Sequence, residues 1–150
     1  MSEYYEFTAD KFVFKVKKDI LYSKDEVWVK REANGSIRVG VTDFAQRRAG
    51  DLVFAEAQAP STQVAVGGFI GSYETVKRVQ DILSPVDGQI TEINPLIDSK
   101  PEVINMDPYG EGWIAVIKPA SSLSGLASAE EYFEQMKVKV AEELKKIKGL

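Results

Sequence analysis

Lys77 stands in the run Gly71-Ser72-Tyr73-Glu74-Thr75-Val76-Lys77-Arg78-Val79-Gln80-Asp81 and is the residue of this chain best placed to do chemistry. That chemistry is attachment. A primary amine on a tight exposed turn can be found by a modifying enzyme and can then carry a long prosthetic arm. Glu74 lies three residues before it, Val76 and Val79 flank it, and Pro85-Val86-Asp87-Gly88 follows as a further turn. The pattern predicts a strand, a turn bearing the lysine and a returning strand. The commonplace alternative is a solvated surface lysine, which is what most lysines are.

The missing residue types narrow the chemistry further. The chain has no Cys and no His. It therefore has no disulfide, no thiolate nucleophile and no Cys-based metal site. The commonest general base and metal ligand is absent too. No compact set of carboxylates, Lys or Tyr replaces them. The chain is expected not to be an enzyme, with no catalytic residue and no metal ligand of its own. Redox or group-transfer chemistry on it would have to be carried by a cofactor.

Several elements must position Lys77. Phe12, Phe14 and Val16 alternate as in a half-buried strand, with Lys15, Lys17 and Lys18 on the wet side. Val27-Trp28-Val29 predicts a second strand, Ala33-Asn34-Gly35-Ser36 a hairpin turn, and Ile37, Val39 and Val41 the return. A short helix is expected over 42–50, capped by Thr42 or Asp43 and ended by Gly50. Leu52, Phe54 and Ala57 predict the next strand, and Phe54, Trp28 and Trp113 are expected in the core. Strands are also expected at Phe69-Ile70 up to the lysine, at Ile82-Leu83, around Ile90 and Glu92, and over Trp113–Ile117. One helical turn is expected over 99–105.

The C-terminus changes character. Ser128-Ala129-Glu130-Glu131 has the form of a capping box, and Tyr132 or Phe133, Met136, Val140, Leu144 and Ile147 recur at helical spacing. A helix over about 128–148 is expected, with Glu142 and Lys146 as an i, i+4 pair. Many short strands at close intervals suggest a mainly β sandwich or flattened barrel.

At 150 residues with 44% hydrophobic content, the chain is expected to be one domain, 1–150, with an N-terminal extension of about 1–19. Its net charge of −4 argues against nucleic acid as a partner. No apolar run approaches the roughly 20 residues needed to span a bilayer. The N-terminus lacks the pattern of a signal peptide, so the expected location is the cytoplasm. The expected state is a monomer.

Several stretches together resemble one family. Gly40-Val41-Thr42-Asp43-Phe44-Ala45-Gln46, followed by Gly50-Asp51-Leu52-Val53-Phe54, is similar to the G-I-T-D-Y-A-Q and G-D-I-V-F signatures of glycine cleavage system H proteins. Glu74-Thr75-Val76-Lys77 resembles the family's E-S-V-K lipoylation site, and Ser84-Pro85-Val86-Asp87-Gly88 its S-P-V-S-G turn. Ile104-Asn105, Pro108-Tyr109 and Gly112-Trp113 resemble its downstream pattern, so the similarity runs from about Leu21 to Ile117. The resemblance implies a lipoyl-type flattened β-barrel of two small antiparallel sheets, with short helices and a C-terminal helix. It implies lipoate joined to Lys77 by an amide bond, with Glu74 read by the lipoylating enzyme. It further implies an arm that takes the aminomethyl group of glycine from a pyridoxal-phosphate glycine decarboxylase. The arm passes it to a tetrahydrofolate-dependent aminomethyltransferase and is reoxidised by dihydrolipoamide dehydrogenase.

The sequence also departs from that family. Tyr22-Ser23-Lys24-Asp25-Glu26-Val27-Trp28 stands where H proteins usually carry Y-T-x-x-H-E-W, so Glu26 replaces the histidine and Val27 the glutamate. Arg78 follows the lysine where a small residue is common. Two alternatives are open, the first raised by these changes. One is an H-like lipoate-binding protein that carries sulfur species for a heterodisulfide-reductase-like complex or acts in lipoate relay. The other is an unmodified β-domain acting through protein contacts alone. A biotin carrier is disfavoured, because Val76 and Arg78 stand where biotinyl domains place Met.

Overall fold

A computed structural model describes residues 2–148, with side chains to residue 146; the expected Ile147 contact and the side chain of Lys148 lie outside the described residues. The strands are β1 (Tyr4–Ala9), β2 (Phe12–Lys17), β3 (Leu21–Tyr22), β4 (Val27–Arg31), β5 (Ile37–Val41), β6 (Leu52–Ala57), β7 (Gln63–Val64), β8 (Phe69–Thr75), β9 (Val79–Leu83), β10 (Gly88–Ile93) and β11 (Ala115–Pro119). The helices are α1 (Asp43–Ala49), α2 (Leu96–Ser99), α3 (Val103–Met106) and α4 (Ala129–Lys148). A six-stranded sheet has the order β3-β4-β5-β11-β10-β7 and a three-stranded sheet the order β6-β8-β9. Every pairing is antiparallel. The two sheets form the flattened sandwich expected from the sequence. The hairpin β1-β2 is a third sheet of its own.

The sequence of β4 explains the layering. Val27, Trp28 and Val29 are all buried, where a strand with one wet face would alternate. Val27 and Val29 join the core between the two sheets, with Val39, Ile70, Ile82, Ile90 and Ile117. Trp28 points the other way, into a second cluster with Tyr22, Phe44, Tyr132, Met136 and Val140. The six-stranded sheet is thus covered on its second face by α4 and the N-terminal hairpin. Each fully buried large side chain there contributes about 1.5–3 kcal/mol. Trp28 also explains Gly40, its cross-strand partner: a Cβ on Gly40 would sit 2.6 Å from the indole ring.

Local signals place most elements. Thr42 caps α1, its hydroxyl accepting from the Ala45 amide at 3.2 Å, and Gly50 ends it at φ +89°. The capping box on α4 forms in both directions. The Ser128 hydroxyl accepts from the Glu131 amide at 3.2 Å, and the Glu131 carboxylate accepts from the Ser128 amide at 3.1 Å. A backbone bridge between Tyr22 and Ala127 ties the approach to α4 to the sheet edge at β3.

The structure corrects several expectations. Phe54 is 40% exposed, not core. A β-bulge explains it: Leu52 pairs with Thr75 and Phe54 with Glu74, so Val53 is the extra residue and both Val53 and Phe54 turn outward. Trp113 is half-buried, with the Arg38 guanidinium 4.2 Å above its ring. The single turn expected over 99–105 is two one-turn helices, α2 and α3, on either side of Lys100–Glu102. No Glu142–Lys146 ion pair forms among the described residues; Lys137 pairs with Glu134 at 3.0 Å instead. β1 was not signalled at all. It pairs along β2 from Tyr4↔Lys17 to Ala9↔Phe12.

The N-terminal hairpin is held to the body by backbone as well as by packing. The Asp43 carboxylate accepts from the Lys15 amide at 2.8 Å, and the Tyr109 hydroxyl donates to the Lys15 carbonyl at 2.8 Å. Asp43 also accepts from Gln46 Nε2 at 2.7 Å and Arg47 Nε at 3.3 Å, so one buried carboxylate joins α1 to β2.

Candidate functional site

Lys77 lies at the apex of the β8–β9 hairpin. The amide of Thr75 donates to the Arg78 carbonyl at 2.9 Å, which leaves Val76 and Lys77 as a two-residue loop. Such loops usually need left-handed residues, yet neither Val76 nor Lys77 has positive φ. β-branched Val76 would adopt one only with strain. The Thr75 hydroxyl supports the turn instead, lying 3.3 Å from the amides of both Lys77 and Arg78 and accepting from them. Lys77 is exposed and forms no ion pair among the described residues. An amine that stabilises nothing in the fold can be acylated without loss to the fold. The site therefore fits an amide-linked prosthetic group, which would remove the lysine charge.

Glu74 sits in the strand leading to the tip, half-buried, between Phe54 on β6 and Val79 on β9. Arg78 is exposed beside the lysine. The hairpin thus brings Lys77, Glu74 and Arg78 to one end of the three-stranded sheet.

Beside β9 lies a cleft of about 210 Å³ lined by Lys24, Asp25, Glu26, Arg48, Gln80, Asp81, Leu83 and Lys139. Gln80 and Asp81 are three and four residues past Lys77, so the cleft is adjacent to the hairpin. A small inner cavity shares Asp25, Glu26, Arg48, Gln80 and Asp81 with it and is also lined by Tyr73, whose phenol pKa burial pushes up.

Glu26 is the residue whose role the sequence hid. It is buried at φ +65°, a left-handed conformation that costs a non-glycine residue about 1–3 kcal/mol. Its carboxylate accepts from the Thr42 hydroxyl at 2.7 Å, from the Tyr132 hydroxyl and from the Lys139 ammonium. Two of these partners come from α4, so this carboxylate fastens the C-terminal helix to the rim of the cleft. Desolvation, then the nearby Glu26 charge, hold the Tyr132 phenol well above its ordinary pKa. Val27 is core; it is absent from the lining of the 210 Å³ cleft but borders the small inner cavity together with Tyr73. Arg48 lines the cleft with its guanidinium 5.1 Å from the Phe44 ring, and its Nε is buried without a hydrogen-bond partner among the described residues.

A family profile described as glycine cleavage H-protein matches residues 20–139. The chain belongs to the glycine cleavage H-protein family. The family is one of lipoyl carrier subunits rather than catalytic enzymes. The chain is 47% identical over 120 residues to the glycine cleavage system H protein of Coprothermobacter proteolyticus, covering 79% of this chain and 94% of the relative. It is 39% identical over 127 residues to the probable glycine cleavage system H protein of Pyrococcus horikoshii, covering 83% and 94%. The crystal structure of an H protein from Mycobacterium marinum superposes with a TM-score of 0.75 at 33% identity, covering 81% of this chain and 99% of that one. The β1–β2 hairpin and the end of α4 past residue 139 fall outside the family match. Among the described residues no helix is long and apolar enough to cross a membrane.

Proposed function

We propose that this H-family member is the lipoyl carrier of the glycine cleavage system, with lipoate amide-linked to Lys77 Nζ. It moves the aminomethyl group of glycine between glycine decarboxylase, the aminomethyltransferase and dihydrolipoamide dehydrogenase. Residues 1–150 act as one lipoyl-bearing unit, a monomer working in the cytoplasm. The observation that carries this reading is the free, exposed Lys77 at the hairpin apex, inside the run Glu74-Thr75-Val76-Lys77 and inside the family match. The lipoyl group supplies the thiol–disulfide chemistry that a chain without cysteine lacks.

The chain's own residues would present the lysine and shelter its cargo. Thr75 fixes the turn so that Lys77 projects from the body. Glu74 offers the lipoylating enzyme a charge beside the lysine. In the cleft, Asp25 and Asp81 form no ion pair among the described residues and can face a cationic cargo, a role Glu26 cannot fill while Lys139 holds it.

Protein from its native host should show the lipoyl mass increment on Lys77. With glycine, glycine decarboxylase and labelled bicarbonate, the lipoylated protein should support exchange of label into glycine, and Lys77→Arg should abolish it. An unmodified Lys77 in lipoate-replete cells would overturn the carrier reading and leave a β-domain acting by contacts alone. One observation favours a second reading: the partnerless Nε of Arg48 at the cleft suits an electronegative cargo, such as a sulfur species. Lipoylated protein that fails the exchange would favour it.

A further inference from the structure

Among the described residues, four of the nine large apolar side chains left exposed, Val53, Phe54, Val76 and Val79, lie together at the Lys77 end of the three-stranded sheet, with Val76 91% and Val79 65% exposed. Register puts Phe54, Glu74 and Val79 in one row across β6, β8 and β9. Directly paired residues project from the same face of a sheet, so this row is an apolar–acidic–apolar stripe ending next to the lysine. The next row on that face is Glu56, Ser72 and Asp81. The stripe exists because of the bulge at Val53. Unbroken alternation from Leu52 would instead turn Phe54 into the core and Ala55 out of it.

We propose that the Phe54–Glu74–Val79 row is the docking surface for the enzyme that acylates Lys77, a partner presenting an apolar recess edged with Lys or Arg. The inference rests on the reading of Lys77 as the lipoyl attachment point. Charge complementarity sets the chemistry of the partner: Glu74 lies between the two apolar residues and Glu56 and Asp81 in the next row away from the tip, so a basic rim fits that side of the stripe, while exposed Lys77 and Arg78 carry the opposite charge at the tip. Reach sets which partner it is. The attaching enzyme meets a bare lysine side chain and must cover the tip and the sheet behind it. There the neutral Nζ amine attacks the carbonyl of an activated lipoyl group, an adenylate or a thioester. The N–C bond forms, the bond to the phosphate or thiol leaving group breaks, and one amine proton is released. Later partners meet an arm already extended from the tip and need not touch the row.

The test uses purified unmodified protein as substrate for the host's lipoate-attaching enzyme, with intact mass as the readout. Phe54→Lys and Val79→Lys change exposed positions, and circular dichroism checks their folding. Each should raise the KM for the protein substrate at least about tenfold while leaving kcat at saturation within about twofold, as loss of a central interface contact would. Glu56→Lys should raise KM less, and by an amount that shrinks as salt increases. Both row variants, once lipoylated at high enzyme concentration, should support glycine exchange as the parent does. A KM within twofold of the parent for Phe54→Lys and Val79→Lys overturns the proposal. So does normal acylation combined with lost exchange, which would assign the row to the decarboxylase. Failure of the parent itself to be acylated at Lys77 would instead refute the attachment reading.

Discussion

Glu26 shows how one substitution can change the work of a position. The resemblance puts a histidine there; this chain puts a carboxylate, and α4 supplies a hydroxyl and an ammonium to meet it. Removing one member of a buried ion pair costs about 3–5 kcal/mol, but the Lys139 side chain is 35% exposed, so solvent screens part of that. Glu26→Gln keeps the size and loses the charge, and should lower stability by about 1–3 kcal/mol. A urea melt reads this directly; an unchanged midpoint would show that the pair is fully screened. None of this was legible in the sequence, because the partners of Glu26 lie 16, 106 and 113 residues away. The place of Lys77 on an exposed hairpin was legible because its determinants are local: seven consecutive residues, Gly71 to Lys77, build the strand and the turn that present it.

At the scale of elements, periodicity and caps placed most strands and both longer helices. Thr42, Gly50, Gly35 and the Ser128 box mark their boundaries by mechanisms that act over a few residues. What failed was alternation across a bulge. One inserted residue, Val53, reversed the direction of Phe54, and no propensity reveals an insertion whose evidence lies in the partner strand. Packing between elements yields a second prediction. Gly40→Ala would drive a methyl to within 2.6 Å of the Trp28 ring, whose Nε1 is held 2.8 Å from the Pro108 carbonyl and cannot swing away freely. Overpacking of this kind costs about 1–3 kcal/mol, and thermal unfolding should report it. At the hairpin, Thr75→Val removes the hydroxyl that accepts from two turn amides. Global stability should change by less than about 1 kcal/mol, because those amides can turn to water. Lipoylation should slow, because the lysine is less fixed. A rate equal to the parent's would show that the enzyme imposes the turn itself.

The whole molecule is a sandwich with cores on both faces of its larger sheet, and the second core is unusually rich in tyrosine. Tyr22 and Tyr132 stack at 4.3 Å between ring centres, both fully buried, and burial raises the pKa of each above the ordinary phenol value of 10. The sign of the linkage follows. In the unfolded chain these phenols lose their protons near pH 10, while the folded protein holds them to higher pH. Their contribution is complete below pH 10 and falls as pH rises above it. Alkaline unfolding should therefore begin above about pH 10, with tyrosinate absorbance and loss of circular dichroism rising together. Phenolate appearing well before the fold is lost would contradict the burial.

The backbone clasp on Lys15 has a consequence for motion. The β1–β2 hairpin is a small sheet outside the family match, and a lone two-stranded ribbon is marginally stable in water. Yet one residue in it gives its amide to Asp43 and its carbonyl to Tyr109. The Lys15 amide can exchange its hydrogen with solvent only when the ribbon lifts from the body. Its protection factor is thus a gauge of that lifting, separate from unfolding of the sandwich. Followed with and without the C-terminal helix intact, it would time how this added layer breathes while the Lys77 hairpin stays folded.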